Sequence, residues 1–249
     1  MPVRRSLHRA PAFLDACLAK SRKSGGPRTP RGKAGPCLNA LKQGRCAKGF
    51  RRLVLARRRE AVRLYDFDFV LHGLALRKHW PSAMAQGQAM SVLSRAYRLT
   101  RKNIYRSAAL HALRPFRINV RDGGVKRCFF GDCAHPFFEE YPTHPPSYVL
   151  NGFMFTLVGL YDLASIAPKS QALSLYSAGR QTLAKALPSY DVGGLATYDL
   201  THLTVKGRKP EVASPDYQAV HVYLLRALDS IKRNKRFRYY ADRWEANSR

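Results

Sequence analysis

Apolar residues recur every three to four positions over residues 84–99, 102–113, 147–166, 169–187, 215–232 and 234–245. That period predicts six amphipathic or buried helices from Trp80 onward. Pro188 is expected to close the fourth helix, and Ser214 followed by Pro215 marks the start of the fifth, with a capping side chain and a proline at the first helical position. Between them the run SYDVGGLATYDLTHL (189–203) alternates around Gly193 and Gly194. It predicts a β-hairpin with Tyr198, Leu200 and His202 on one face. The expected fold is mainly α, with one inserted hairpin.

The first 60 residues follow neither period. Residues 21–50 are rich in Lys, Arg, Gly and Pro, a composition that offers too little apolar surface to offset the entropy of ordering. A basic low-order segment over residues 1–60 and a folded domain over 65–249 are therefore expected. Hydrophobic residues make up 45% of the chain and aromatic ones 11%, enough for a sizeable core.

Charge adds a partner class. Of the formal net charge of +28, residues 1–60 hold 17 Lys and Arg against Asp15 and Glu60, and the rest of the chain is also basic. Such a surface attracts polyanions. No zinc-finger, RRM-like or KH-like motif is present, and the basic run lacks interleaved aromatic residues for base stacking, so no specific nucleic acid is expected. Asp15 interrupts the apolar stretch near the N-terminus, which argues against a secretion signal and leaves the location open, the cytoplasm included. Residues 148–161 are too short for a membrane span. The five cysteines form no disulfide framework typical of a small secreted domain, and free thiols are expected. Cys128, Cys133 and His135 match no common zinc spacing, so no metal is expected.

Candidate chemistry concentrates in FFEEYPTHPPSYVLNGFMFTLVGLYD (137–162), where adjacent carboxylates and Tyr141 precede a strongly apolar helix. Tyr198 in TYDLTH and Tyr217 in SPDYQAVH stand in polar company at element edges. Phenols with a carboxylate suit proton transfer. A free phenol near pKa 10 is ionised in about one molecule per thousand at neutral pH, so holding a tyrosinate costs roughly 4 kcal/mol without help from its surroundings. Tyr217 has the N-terminus of a helix for that purpose.

Together SAMAQGQAMSVLSRAYRLT (82–100), the 137–163 segment, LPSYDVGGLATYDLTH (187–202) and PDYQAVHVYLL (215–225) resemble the D-glucuronyl C5-epimerases of heparan sulfate biosynthesis, in their C-terminal helical domain. The resemblance implies an incomplete (α/α) toroid of helical hairpins. It also implies inversion at C5 of a glucuronate already inside a polymer, giving iduronate with no cofactor. Transferred motif by motif, it places catalytic groups at Tyr141, Tyr217, Glu140 and Tyr198 and a substrate contact at Asn151, while Gln86, His202, His221 and Arg208 are further candidate contacts read from their positions near these motifs. Thr201 stands where family members carry an arginine suited to gripping a carboxylate, with Arg208 and its lysine neighbours as substitutes, and Phe155 replaces a tyrosine. The partners implied are an anionic uronate-containing polysaccharide and a second copy of the chain. Two other readings stay open: a uronate polysaccharide lyase sharing the same proton abstraction, and a non-catalytic polyanion-binding protein.

Overall fold

In a computed structural model the described residues are 64–248, so the expectation for residues 1–60 lies outside them. The chain opens with short antiparallel pieces, β1 (Leu64–Tyr65), β2 (Phe69–Leu71), β3 (Leu74–Leu76) and β4 (Trp80–Pro81), in which β1 pairs with β4 and β2 with β3. Helices α1 (Ala83–Thr100) and α2 (Asn103–His111) follow, then two 3₁₀ turns and the hairpin β5 (Lys126–Phe129) and β6 (Asp132–Phe138). Next come α3 (Leu150–Ile166), α4 (Ala172–Tyr190), the small hairpin β7 (Asp191–Val192) and β8 (Leu195–Ala196), a single helical turn α5 (Thr201–Thr204), α6 (Pro215–Ile231) and α7 (Lys235–Asn247).

The fold is mainly α, and each long helix covers the stretch that its periodicity predicts. Helix α3 is apolar on nearly every side, which suits only a central position. It packs against α1, α4 and α6. The α1–α3 crossing is very close because glycines face each other there. A Cβ on Gly159 would lie 2.1 Å from the Gly87 carbonyl oxygen, and one on Gly87 would lie 2.7 Å from the Thr156 Cα. Helix α1 begins at Ser82, whose hydroxyl accepts from the Ala85 amide. Among the described residues, no helix is long and apolar enough to cross a membrane.

Three local expectations need correction. Pro188 does not close α4, which continues to Tyr190. The proline has no N–H to give the Ala184 carbonyl, and that oxygen instead accepts from Arg236 Nη1 at 3.0 Å, so α7 supplies the missing donor. The 189–203 hairpin is much shorter than alternation suggests: Gly193 and Gly194, both with positive φ, make its two-residue turn, and pairing stops at Ala196. His202 lies on the α5 turn, so Tyr198 and His202 do not share a strand face. Cys128 and Cys133 are not free thiols. They form a disulfide across the β5–β6 turn, where the reversal of the chain brings their Cα atoms to 4.3 Å.

Candidate active site

Glu140 and Tyr141 sit at the start of an irregular loop, and a buried ion pair shapes that loop. Glu139 is fully buried and Arg127 Nε lies 3.1 Å from its Oε1, while the other oxygen accepts from the Tyr148 amide at 3.2 Å and the Ser147 hydroxyl at 3.4 Å. Arg127 also donates to the Thr143 carbonyl at 2.7 Å. The Glu139 backbone bonds to Val125, just ahead of β5, and to Ala83, the first residue of α1, so both ends of the peptide before the candidate acid are held. Burial pushes the Glu139 carboxyl up to about 7 despite the opposing charge of Arg127. The His144–Pro145 bond in this loop is cis.

A second set of backbone bonds brings Tyr198 alongside. Leu150 donates to the Tyr198 carbonyl at 3.1 Å, Leu200 to the Ser147 carbonyl at 2.9 Å, and the Thr204 hydroxyl to the Pro146 carbonyl at 2.7 Å. Gln218 then bolts the first turn of α6 to the same segment, accepting from the Ala196 amide at 3.0 Å and donating to its carbonyl at 2.7 Å. Tyr217, the neighbour of Gln218, thereby meets Tyr198 edge to face with ring centroids 5.0 Å apart. Ser214 occupies the N-cap position of α6, but its side chain makes no capping bond; its carbonyl accepts from the Gln218 amide at 2.8 Å.

Three segments far apart in sequence thus deliver Glu140, Tyr141, Tyr198 and Tyr217 to one cluster. The Tyr141 phenol lies between the Glu140 carboxyl and the Tyr198 phenol and interacts with both, a row of proton-bearing groups that ends on a carboxyl. The Glu140 Oε2 is buried without a hydrogen-bond partner and rests against Gly152. Burial raises the Glu140 carboxyl to about 7, opposed by the Tyr141 hydroxyl. Burial, then the Glu140 charge, pushes both Tyr141 and Tyr198 well above an ordinary phenol. Tyr217 remains 41% exposed at the mouth of the cluster.

The other expected contacts fall in different places. Asn151 is buried in the first turn of α3, with an Oδ1 that has no hydrogen-bond partner among the described residues. Gln86 is fully buried in α1. His221 shares the Tyr217 side of α6 in sequence but is wholly buried near Trp244, and burial depresses its imidazole to about 3, so it stays neutral and presents no atom to solvent. His202 is partly buried, and burial lowers its imidazole against the pull of Asp199. Arg208 Nη2 pairs with Glu211 at 3.0 Å. Thr201 satisfies itself on Asp199, whose Oδ1 accepts both its amide at 3.0 Å and its hydroxyl at 2.7 Å.

Two groupings have no counterpart in the sequence reading. His72, at the β2–β3 turn, lies 2.9 Å from Asp199 and 3.4 Å from Glu211. Tyr65, Phe69 and Trp80 continue the aromatic surface outward from Tyr141. The alternating aromatics of LYDFDF were the available signal for the second. Among the described residues, no group of three His, Cys, Asp or Glu is arranged to hold a metal ion.

A helical frame that gathers several phenols around a buried carboxyl holds the residue types that proton transfer uses. The chain belongs to the family described as D-glucuronyl C5-epimerase C-terminus, whose model matches residues 60–246. It is 44% identical over 183 residues to a D-glucuronyl C5-epimerase of Caenorhabditis elegans, covering 69% of this chain and 29% of that protein. It is also 32% identical over 136 residues to an uncharacterized protein of Methanocaldococcus jannaschii, covering 54% of this chain and 44% of that one. The chain therefore spans less than half the length of either relative.

Proposed function

We propose that this chain inverts C5 of D-glucuronate units within an anionic, heparosan-like polysaccharide, giving L-iduronate. The hydrogen at C5 is α to a carboxylate and weakly acidic. The site must take it from one face, return a proton to the other, and stabilise the enolate-like intermediate between these steps. The observation that carries this reading is the convergence of Glu140, Tyr141, Tyr198 and Tyr217 on one point from three distant segments.

Glu140, like the ion-paired Glu139 beside it, changes protonation near neutrality, and Tyr141 lies directly on Glu140. Ionised Glu140 takes the Tyr141 proton as the Tyr141 oxygen takes the C5 hydrogen, and Tyr217, starting protonated, gives its proton to the other face and is left as the anion. Tyr217, on the first turn of α6, has a helix N-terminus to favour its anion by about 0.3 to 1 kcal/mol. It serves the opposite face of the sugar.

Incubation with heparosan in deuterated water, read by NMR, tests the proposal. Deuterium at C5 with the polymer length unchanged is the expected result. Unsaturated, ultraviolet-absorbing ends would assign a lyase, and an undeuterated, unaltered polymer would remove catalysis altogether.

A further inference from the structure

The tip of the β2–β3 hairpin is a two-residue turn, His72 and Gly73, with φ of 52° and 81°. That left-handed pair favours Asn followed by Gly, and an imidazole at its first position adds nothing to the turn itself. The ring instead lies against the tyrosine segment. Its Nε2 is 2.9 Å from Asp199 Oδ2 and its Nδ1 is 3.4 Å from Glu211 Oε2. Asp199 follows Tyr198 in the chain and has a side chain 1% exposed, while the Glu211 carbonyl accepts from the Tyr198 amide at 3.0 Å. His72 thus touches the acids on both sides of the Tyr198 backbone.

Charge is what these contacts supply. Asp199 uses Oδ1 on the Thr201 amide and hydroxyl, and its Oδ2 is buried with no aligned hydrogen bond among the described residues. The His72 Nε2 approaches that oxygen closely but without hydrogen-bond alignment, so the attraction is that of an ion pair. A neutral imidazole has one N–H and would turn a lone pair toward one of the two carboxylates, whereas an imidazolium presents an N–H to each. Two further groups border the pair: Arg208, whose Nη2 lies 3.0 Å from Glu211 Oε2, and His202, whose imidazole feels the Asp199 charge.

The same hairpin reaches a second phenol. Phe69, in β2, stacks on Tyr141 with ring centroids 5.1 Å apart. One short hairpin therefore touches the segments of both Tyr141 and Tyr198. We propose that His72 is a positioning residue for Tyr198: as an imidazolium between Asp199 and Glu211 it ties that segment to the hairpin carrying Phe69, and so fixes the spacing of the Tyr198 and Tyr141 phenols. The inference rests on the function proposed above.

His72→Asn in the full chain tests it, because Asn before Gly keeps the turn while the ring and its charge are removed. Backbone hydrogen exchange followed by NMR should show the Tyr198 N–H exchanging roughly tenfold faster in the variant, while the Ala196 N–H, held by Gln218, keeps its rate. With heparosan in deuterated water, kcat for C5 labelling should fall by up to about tenfold, the loss expected when the Tyr198 hydroxyl is removed, with KM within about twofold. Added to Tyr198→Phe, His72→Asn should cost little more, since both act through one phenol. An unchanged Tyr198 N–H would overturn the proposal, as would losses of the two variants that multiply. A lowered Tm with that N–H and kcat intact would overturn it too, marking His72 as a surface tie only. If the Tyr198 N–H responds but the unsubstituted chain labels no C5, the proposed function fails and the tie stands; if the chain labels C5 and His72→Asn changes neither readout, the reverse holds.

Discussion

The Glu140 carboxyl rests on the bare Cα of Gly152. A Cβ at position 152 would come to 2.1 Å from Glu140 Oε2 and 2.6 Å from Glu140 Cβ, so the whole side chain would have to move, not only its tip. Glu140 and Gly152 are therefore matched to one another, and the glycine in α3 is the reason a carboxyl can be buried there. Gly152→Ala should favour the helix by up to about 1 kcal/mol through propensity alone. It should nonetheless abolish most C5 exchange, on the order of a hundredfold or more, because the end of the row is displaced. Exchange rate and thermal midpoint measured on the same preparation check both parts; full activity would show that Glu140 does not need this seat.

Removal of single hydroxyls separates the members of the row. Tyr141→Phe and Tyr217→Phe should each lower exchange by about 10² to 10⁴, the range expected for loss of a general acid or base. Tyr198→Phe leaves Tyr141 beside Glu140 and removes only the neighbouring phenol hydroxyl, so its loss should be smaller, about tenfold. Initial rates of deuterium incorporation rank the three.

Stability should fall as pH rises through neutrality because of Glu140. Its folded value of about 7 lies above the ordinary 4.5, so between these values the folded chain binds more protons than the unfolded one. The group's stabilising contribution is present below pH 4.5 and lost as pH passes 7, a change on the order of 3 kcal/mol for that carboxyl. Buried Glu139, raised to the same value, contributes a parallel slope, so Glu140→Gln should remove about half of the pH dependence and leave the Glu139 part. Denaturant midpoints at pH 5 and pH 8 for both proteins give the answer, and parallel slopes would contradict it.

The Arg127–Glu139 pair should show the asymmetry of a buried ion pair. Arg127→Ala leaves Glu139 buried opposite no cation and frees the Thr143 carbonyl, at an expected cost of about 3 to 5 kcal/mol. Adding Glu139→Gln to Arg127→Met should recover much of that loss. Chemical denaturation of the single and double variants measures the coupling.

What the amino-acid sequence determined was local: the long helices, because a 3.6-residue period of apolar side chains has one way to bury itself, and the Pro215 start of α6, because a proline fits the first turn. The tyrosine motifs were legible for a similar reason, each lying within a few residues of its own polar neighbours. Local pattern failed where a distant group intervened. Pro188 continues a helix because Arg236 arrives from α7 to take up the carbonyl it leaves, and His221 turns from a candidate contact into a core residue because Trp244 lies beside it. Cys128 and Cys133 pair because a β-turn folds them together. Only the tertiary structure decided that Tyr141, Tyr198 and Tyr217 meet. Their adjacency depends on backbone bonds from Leu150 to Tyr198 and on the Gln218 clasp at Ala196, contacts between residues tens of positions apart that no periodicity encodes.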